Sequence, residues 1–296
     1  MEGIKTENSP SGLWDACSTL ETVASRSLVI QLDAFHAPFR DCYEAGVQAP
    51  TLTDDREIAF DMRLAALFLK RSLNDLRAVW VVTCMGYTSE AAAIAAALFE
   101  HALAVEALAG SEARARELQE SSSGDLPWSP LELAKIHAQL LREEAVICGK
   151  NFADDDYERL WREVYSAYKY LCKIKHPTLR STSHDAGSTN LRDREFVVMA
   201  APDLRQEDLS LKATVLMISV SRVYQAVRRF SLHSECDRER PYYQDYLRRM
   251  RGVVPSASDA YKSLVAGPLP FDISDAAISA EYRLLKAAQR VATTGR

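Results

Sequence analysis

No cysteine in this sequence has a second one at metal-site or redox-motif spacing. Cys17, Cys42, Cys84, Cys148, Cys172 and Cys236 stand singly along 296 residues, with no C-x-x-C step. That pattern excludes a zinc ribbon or finger and points to reduced thiols acting as small buried hydrophobes. A secretory signal pattern is also missing, so the cytoplasm is the expected compartment. The chain lacks a Walker loop, a dinucleotide fingerprint and a nucleophile elbow, and no cofactor is expected. No metal is expected either. The His184-Asp185 dipeptide has no second His/Asp cluster at convincing spacing, and Glu100-His101 lacks a repeated Glu-x-x-His. Glycine, at 11 residues, is below average usage. A formal charge of −5 gives no global pull toward nucleic acid or an anionic membrane. The most apolar window, Ala91–Ala109, is built from Ala and interrupted by Glu100, His101 and Glu106. It reads as a buried helix and not as a membrane span.

What the chain has is helix-forming material. Apolar residues make up 47% of it, and Ala, Leu, Glu and Arg dominate many windows. The fold class is therefore all-α, a multi-helix bundle. Residues 1–12 are expected to be a disordered terminus. Residues 13–251 form the bundle, and 252–296 form a linker rich in Pro and Gly followed by a C-terminal helix. A first helical pattern runs through Leu20, Val23, Leu28, Leu32 and Phe35, with Pro38 placed to kink or divide it. Two long helices, from about Thr53 to Met85 and from Thr88 to Ala109, meet at Gly86-Tyr87 as an antiparallel hairpin. Ser129-Pro130 starts another helix. Glu195–Ala201 is the one good strand candidate, and a long amphipathic helix follows from about Gln206 to Leu232.

The helix from Tyr157 to Thr178 carries the most suggestive chemistry. Leu160, Val164, Ala167, Leu171 and Ile174 share one face. Arg162, Lys169 and His176 share the opposite one, with Lys173 beside them. Pro177 ends the helix at His176, where the negative end of the helix dipole favours the protonated imidazole. His176 is the candidate acid or base, with Lys169 and Lys173 as its cations; Arg162, Lys175 and Arg180 are candidate phosphate ligands. Tyr165, Tyr168 and Tyr170 point in different directions, and at least one belongs to the core. In the hairpin, Arg71 and Asp75 form an i,i+4 pair, and Glu100 is expected to pair with Arg71 or Arg77. The run from Arg222 to Arg251 reads as a solvated surface.

Two pieces, residues 71–109 and 168–177, resemble an uncharacterised bacterial family of HEPN-like helical proteins. The likeness rests on Leu98-Phe99-Glu100 at the end of a helical hairpin and on Leu171 to Pro177 at the end of a later helix. The likeness covers about residues 71–177, and it implies that the HEPN-like part of the bundle is about residues 53–232. It implies a homodimer and a metal-independent ribonuclease site with His176 as its histidine. The Arg expected four to six residues before that His is missing: Tyr170 and Leu171 hold the shorter spacings and Lys169 the longest. Ala96 stands where the family's hairpin often has Arg.

Three functions follow as expectations. The first is a non-catalytic or weakly catalytic protein of RNA-related stress or phage defence, binding a protein partner or RNA. The second is a toxin-like ribonuclease using His176. The third is a small-ligand-binding bundle with its pocket between the hairpin and the His-Pro helix.

Overall fold

The computed structural model describes residues 10–52, 57–121, 125–175, 191–192, 195–196, 202–234, 238–239 and 241–270. Nine α-helices run through these residues: α1 (Pro10–Gln31), α2 (Asp33–Gln48), α3 (Phe60–Cys84), α4 (Thr88–Leu108), α5 (Glu112–Glu120), α6 (Pro130–Ile147), α7 (Asp154–Lys175), α8 (Asp208–His233) and α9 (Pro241–Leu264). A 3-10 turn, Ala49–Leu52, follows α2. Of the strand candidate, Glu195–Phe196 forms β2, paired antiparallel with β1 (Leu191–Arg192), and residues 197–201 lie outside the described residues. The chain is an all-α bundle.

The Ala-rich α4 sits at its centre, against α3, α6, α7 and α8. By length and composition α4 could cross a membrane, but 72% of its apolar window is buried inside the bundle. Small Ala side chains let the neighbouring helices approach closely. Its buried residues include Ala91, Ala92, Ala95, Ala96 and Ala102. The α3–α4 hairpin turns at Gly86, whose φ of 91° is a left-handed value that suits glycine. Pro202 packs on this glycine, and the Asp203 N–H donates to the Gly86 carbonyl at 2.9 Å.

A buried ion pair ties the same corner. Asp208 and Lys212, one turn apart on α8, are both fully buried and paired. The Thr88 hydroxyl donates to Asp208 at 2.5 Å, and Lys212 Nζ donates to the Asp203 carbonyl at 2.9 Å. The start of α6 carries a capping box, with Ser129 and Glu132 exchanging bonds and Pro130 at the first position.

Three boundaries differ from expectation, the first being that α1 begins at Pro10, inside the terminus expected over residues 1–12. The first helical pattern divides at Leu32, and Pro38 lies buried inside α2. Leu28, Leu32 and Phe35 are core, whereas Leu20 and Val23 are exposed. Residues 252–264 are not linker but the second half of α9, with Pro255 inside it. A mid-helix Pro costs about 3 kcal/mol. Here Val253, Ala257, Ala260 and Tyr261 are buried, and the helix packs on α2 and α8. The proposed C-terminal helix and the 1–9 terminus lie outside the described residues.

Candidate functional site

Each of α4, α6 and α8 places one ionisable side chain at a common interior point. Glu106 interrupts the apolar end of α4. Arg222 occupies a core position on α8, in line with the buried Val215, Ser219 and Ala226. His137 lies on the buried face of α6. None of the three is more than about 5% exposed.

A buried carboxylate needs partners, and Glu106 has two. Arg222 Nη2 donates to Glu106 Oε1 at 2.5 Å, and His137 Nδ1 lies 2.6 Å from Oε2. Arg222 Nη2 is also 3.2 Å from His137 Nδ1. At 2.6 Å from a carboxylate oxygen, Nδ1 is the nitrogen that carries the proton, so Nε2 is the basic nitrogen of the neutral ring. Burial opposes ionisation of Glu106, but the charges of Arg222 and His137 hold its carboxyl below the usual range. Burial is also the chief reason that His137 is pushed below an ordinary imidazole and Arg222 below an ordinary guanidinium, both against the pull of Glu106. The neutral imidazole and the Glu106–Arg222 ion pair are thus the favoured state at neutral pH.

The cluster borders a cleft of about 260 Å³ between α4, α7 and α8. Phe99 of α4 and Val164 and Ala167 of α7 supply apolar wall; Arg222 and His137 form the polar corner, and Glu163 and Gln225 also line it. The Arg222 guanidinium lies 5.6 Å from the Phe99 ring centroid. Its Nε is buried and has no hydrogen-bond partner among the described residues. A buried guanidinium N–H without an acceptor is costly. Arg222 is the cation of the cleft wall, and a guanidinium so placed can meet an oxyanion.

The expected α7 residues fall elsewhere. His176 and Arg180 lie outside the described residues. Lys173 and Lys175 are exposed and Lys169 is half-buried. Arg162 bonds Glu158 at 3.0 Å and lies 5.3 Å from the Trp161 ring. Beside it a shallow hollow is lined by Asp155, Glu158 and Arg159 as well, so acids balance the bases there. The apolar face is as expected at Val164, Ala167 and Leu171, with Leu160 and Ile174 half-buried. Tyr165 is core.

Two expected ion pairs have other partners. Asp75 takes His101 Nδ1 at 2.8 Å instead of Arg71, which is exposed. Glu100 meets neither Arg71 nor Arg77 but accepts from the Tyr168 hydroxyl at 2.6 Å. Burial and this bond push the Tyr168 hydroxyl well above an ordinary phenol. Arg222 corrects a further expectation, because it heads a run assigned to a solvated surface and is buried. Its position on the apolar stripe of α8 was the available signal. His137 carried none, since its partners lie 31 and 85 residues away. Among the described residues no group of three or more His, Cys, Asp or Glu is placed to hold a metal ion. No family model matches the chain, and no curated protein or solved structure shows significant similarity to it.

Proposed function

We propose that the protein is a small-ligand-binding helical bundle whose cleft between α4, α7 and α8 takes a compact organic anion. The buried, unpartnered Nε of Arg222 carries this assignment. Glu106 orients the guanidinium through Nη2 and leaves Nε for the ligand. Phe99, Val164 and Ala167 would cover the ligand's apolar part. Glu163 at the same cleft disfavours a multiply charged ligand.

The test is a thermal-shift and calorimetric titration of the full chain with short-chain monocarboxylates, dicarboxylates and phosphate monoesters. A monocarboxylate at a hundredfold excess over its Kd should stabilise the fold by about 2.7 kcal/mol. Arg222→Lys keeps the charge but removes the fork, and should abolish that shift. The assignment fails if none of these anions binds wild type, or if Arg222→Lys binds equally well.

A second function, RNA or partner binding by a HEPN-like bundle, is favoured by the exposed Lys173 and Lys175 in the last turn of α7. Incubation with mixed RNAs in EDTA, beside His176→Ala, decides it. Cleavage lost in the variant supports a ribonuclease, and retention without cleavage supports binding alone. RNA that is neither cut nor held ends that reading.

A further inference from the structure

A second cavity, of about 260 Å³, opens between α2 and α3 and shares no lining residue with the Arg222 cleft. Its α2 side is one helical stripe, His36, Phe39, Arg40, Tyr43 and Glu44, at spacings of three and four. Leu76, Arg77 and Trp80 supply the α3 side. Half of these eight side chains carry aromatic rings. Phe39 and Trp80 are buried and form the floor; their centroids are 5.5 Å apart and their planes 44° apart. His36 leans on the same Trp80 ring at 5.8 Å and 54°. Tilted rings at these separations can accept another planar ring by offset stacking or edge-to-face contact.

The charges of the cavity do not cancel. Arg40 is held by Asp41 at 3.0 Å, and Glu44 is paired with Arg249. Arg77 is exposed and has no acidic partner among the described residues. One guanidinium is therefore left uncompensated beside an aromatic floor. We infer that this cavity binds a small planar aromatic anion, its ring against Trp80 and His36 and its acidic group on Arg77. The volume suits a ligand of one or two rings. Arg is suited to both parts of such a ligand, since its plane stacks on rings and its fork matches an oxyanion.

The acidic group could belong to an aryl carboxylate or to a nucleotide phosphate, and two probes separate these sources. The full chain is titrated with salicylate and with adenosine 5′-monophosphate, followed by calorimetry and Trp fluorescence. Salicylamide and acetate serve as the ring without charge and the charge without ring. Saturable binding of either ringed anion is expected, with salicylamide and acetate at least about tenfold weaker. Arg77→Ala and His36→Ala, both at exposed positions that tolerate substitution, should each weaken it. Arg222→Lys should not, which separates this site from the α4–α7–α8 cleft. Binding of one probe alone identifies the source. The inference is overturned if neither probe binds, if salicylamide matches salicylate, or if Arg77→Ala leaves the affinity unchanged.

Discussion

Replacing Arg222 with Met tests the interior cluster most directly. Met keeps most of the apolar stem and removes the guanidinium. Glu106 and His137, both under about 5% exposed, would remain buried without their cation. Removing one member of a buried ion pair costs about 3–5 kcal/mol. The pH dependence is more diagnostic than the size. In wild type the folded pKa of His137 is below its unfolded value, so the unfolded chain binds the extra proton. Stability is then lost as pH falls below about 6.5, by up to about 1.4 kcal/mol per pH unit. Glu106, also held low, loses its contribution only as pH falls below about 4.3. Without Arg222 the buried charge of Glu106 has lost its cation, and a proton on either member of the Glu106–His137 pair offsets it. Proton uptake by the Glu106–His137 pair then accompanies folding, and its contribution grows as pH falls. The deficit of the variant should be about 3–5 kcal/mol at pH 7.5 and shrink by about 1–3 kcal/mol at pH 5.5. His233, pushed down mainly by burial, contributes equally to both proteins and cancels. Urea unfolding at the two pH values, followed by far-UV circular dichroism, measures this. A deficit under about 1 kcal/mol, or one that does not change with pH, refutes the ion-pair account.

Three other perturbations have clear outcomes. Lys212→Met leaves Asp208 buried and should cost about 3–5 kcal/mol, whereas the double change with Asp208→Leu should recover much of it; urea midpoints decide. Gly110→Ala should cost about 1–3 kcal/mol in a thermal melt, because its φ is 78° and the His233 ring fills the space where a Cβ would sit. In a thiol-labelling experiment the exposed Cys148 should react quickly and Cys148→Ser should remove that phase. Cys42, pushed up by burial, and Cys84, pushed up to about 12 chiefly by burial, should react only on unfolding.

Local signals in the sequence located the helices well. Ser129-Pro130 announced α6 because capping and the fixed φ of Pro act within one turn. Gly86-Tyr87 announced the hairpin because a left-handed residue is needed there. Pro255 reads as a break because the local penalty of Pro takes no account of the buried Val253, Ala257 and Tyr261 around it. The Glu106, His137 and Arg222 cluster was illegible as a set, because three helices bring it together over 116 residues. Only its members' places on apolar stripes were visible. The partners of Asp75 and Glu100 are not legible in the sequence, because charge matching ignores side-chain direction. His101 and Tyr168 face them across helix contacts, whereas Arg71 is exposed and Arg77 lines the cavity between α2 and α3.

The central helix α4 is apolar nearly all round, so hydrophobicity alone cannot set its rotation about its own axis. Four polar side chains do so. Taking Thr88 as zero and about 100° per residue, Glu106 returns to about 0°, Glu100 lies near 120° and His101 near 220°. Thr88 and Glu106 meet Asp208 and Arg222 of α8, Glu100 meets Tyr168 of α7, and His101 meets Asp75 of α3. Each bearing thus specifies a different neighbour. A smooth Ala cylinder could otherwise turn or slide by a residue at little cost, and these four side chains index it the way the teeth of a key index a lock.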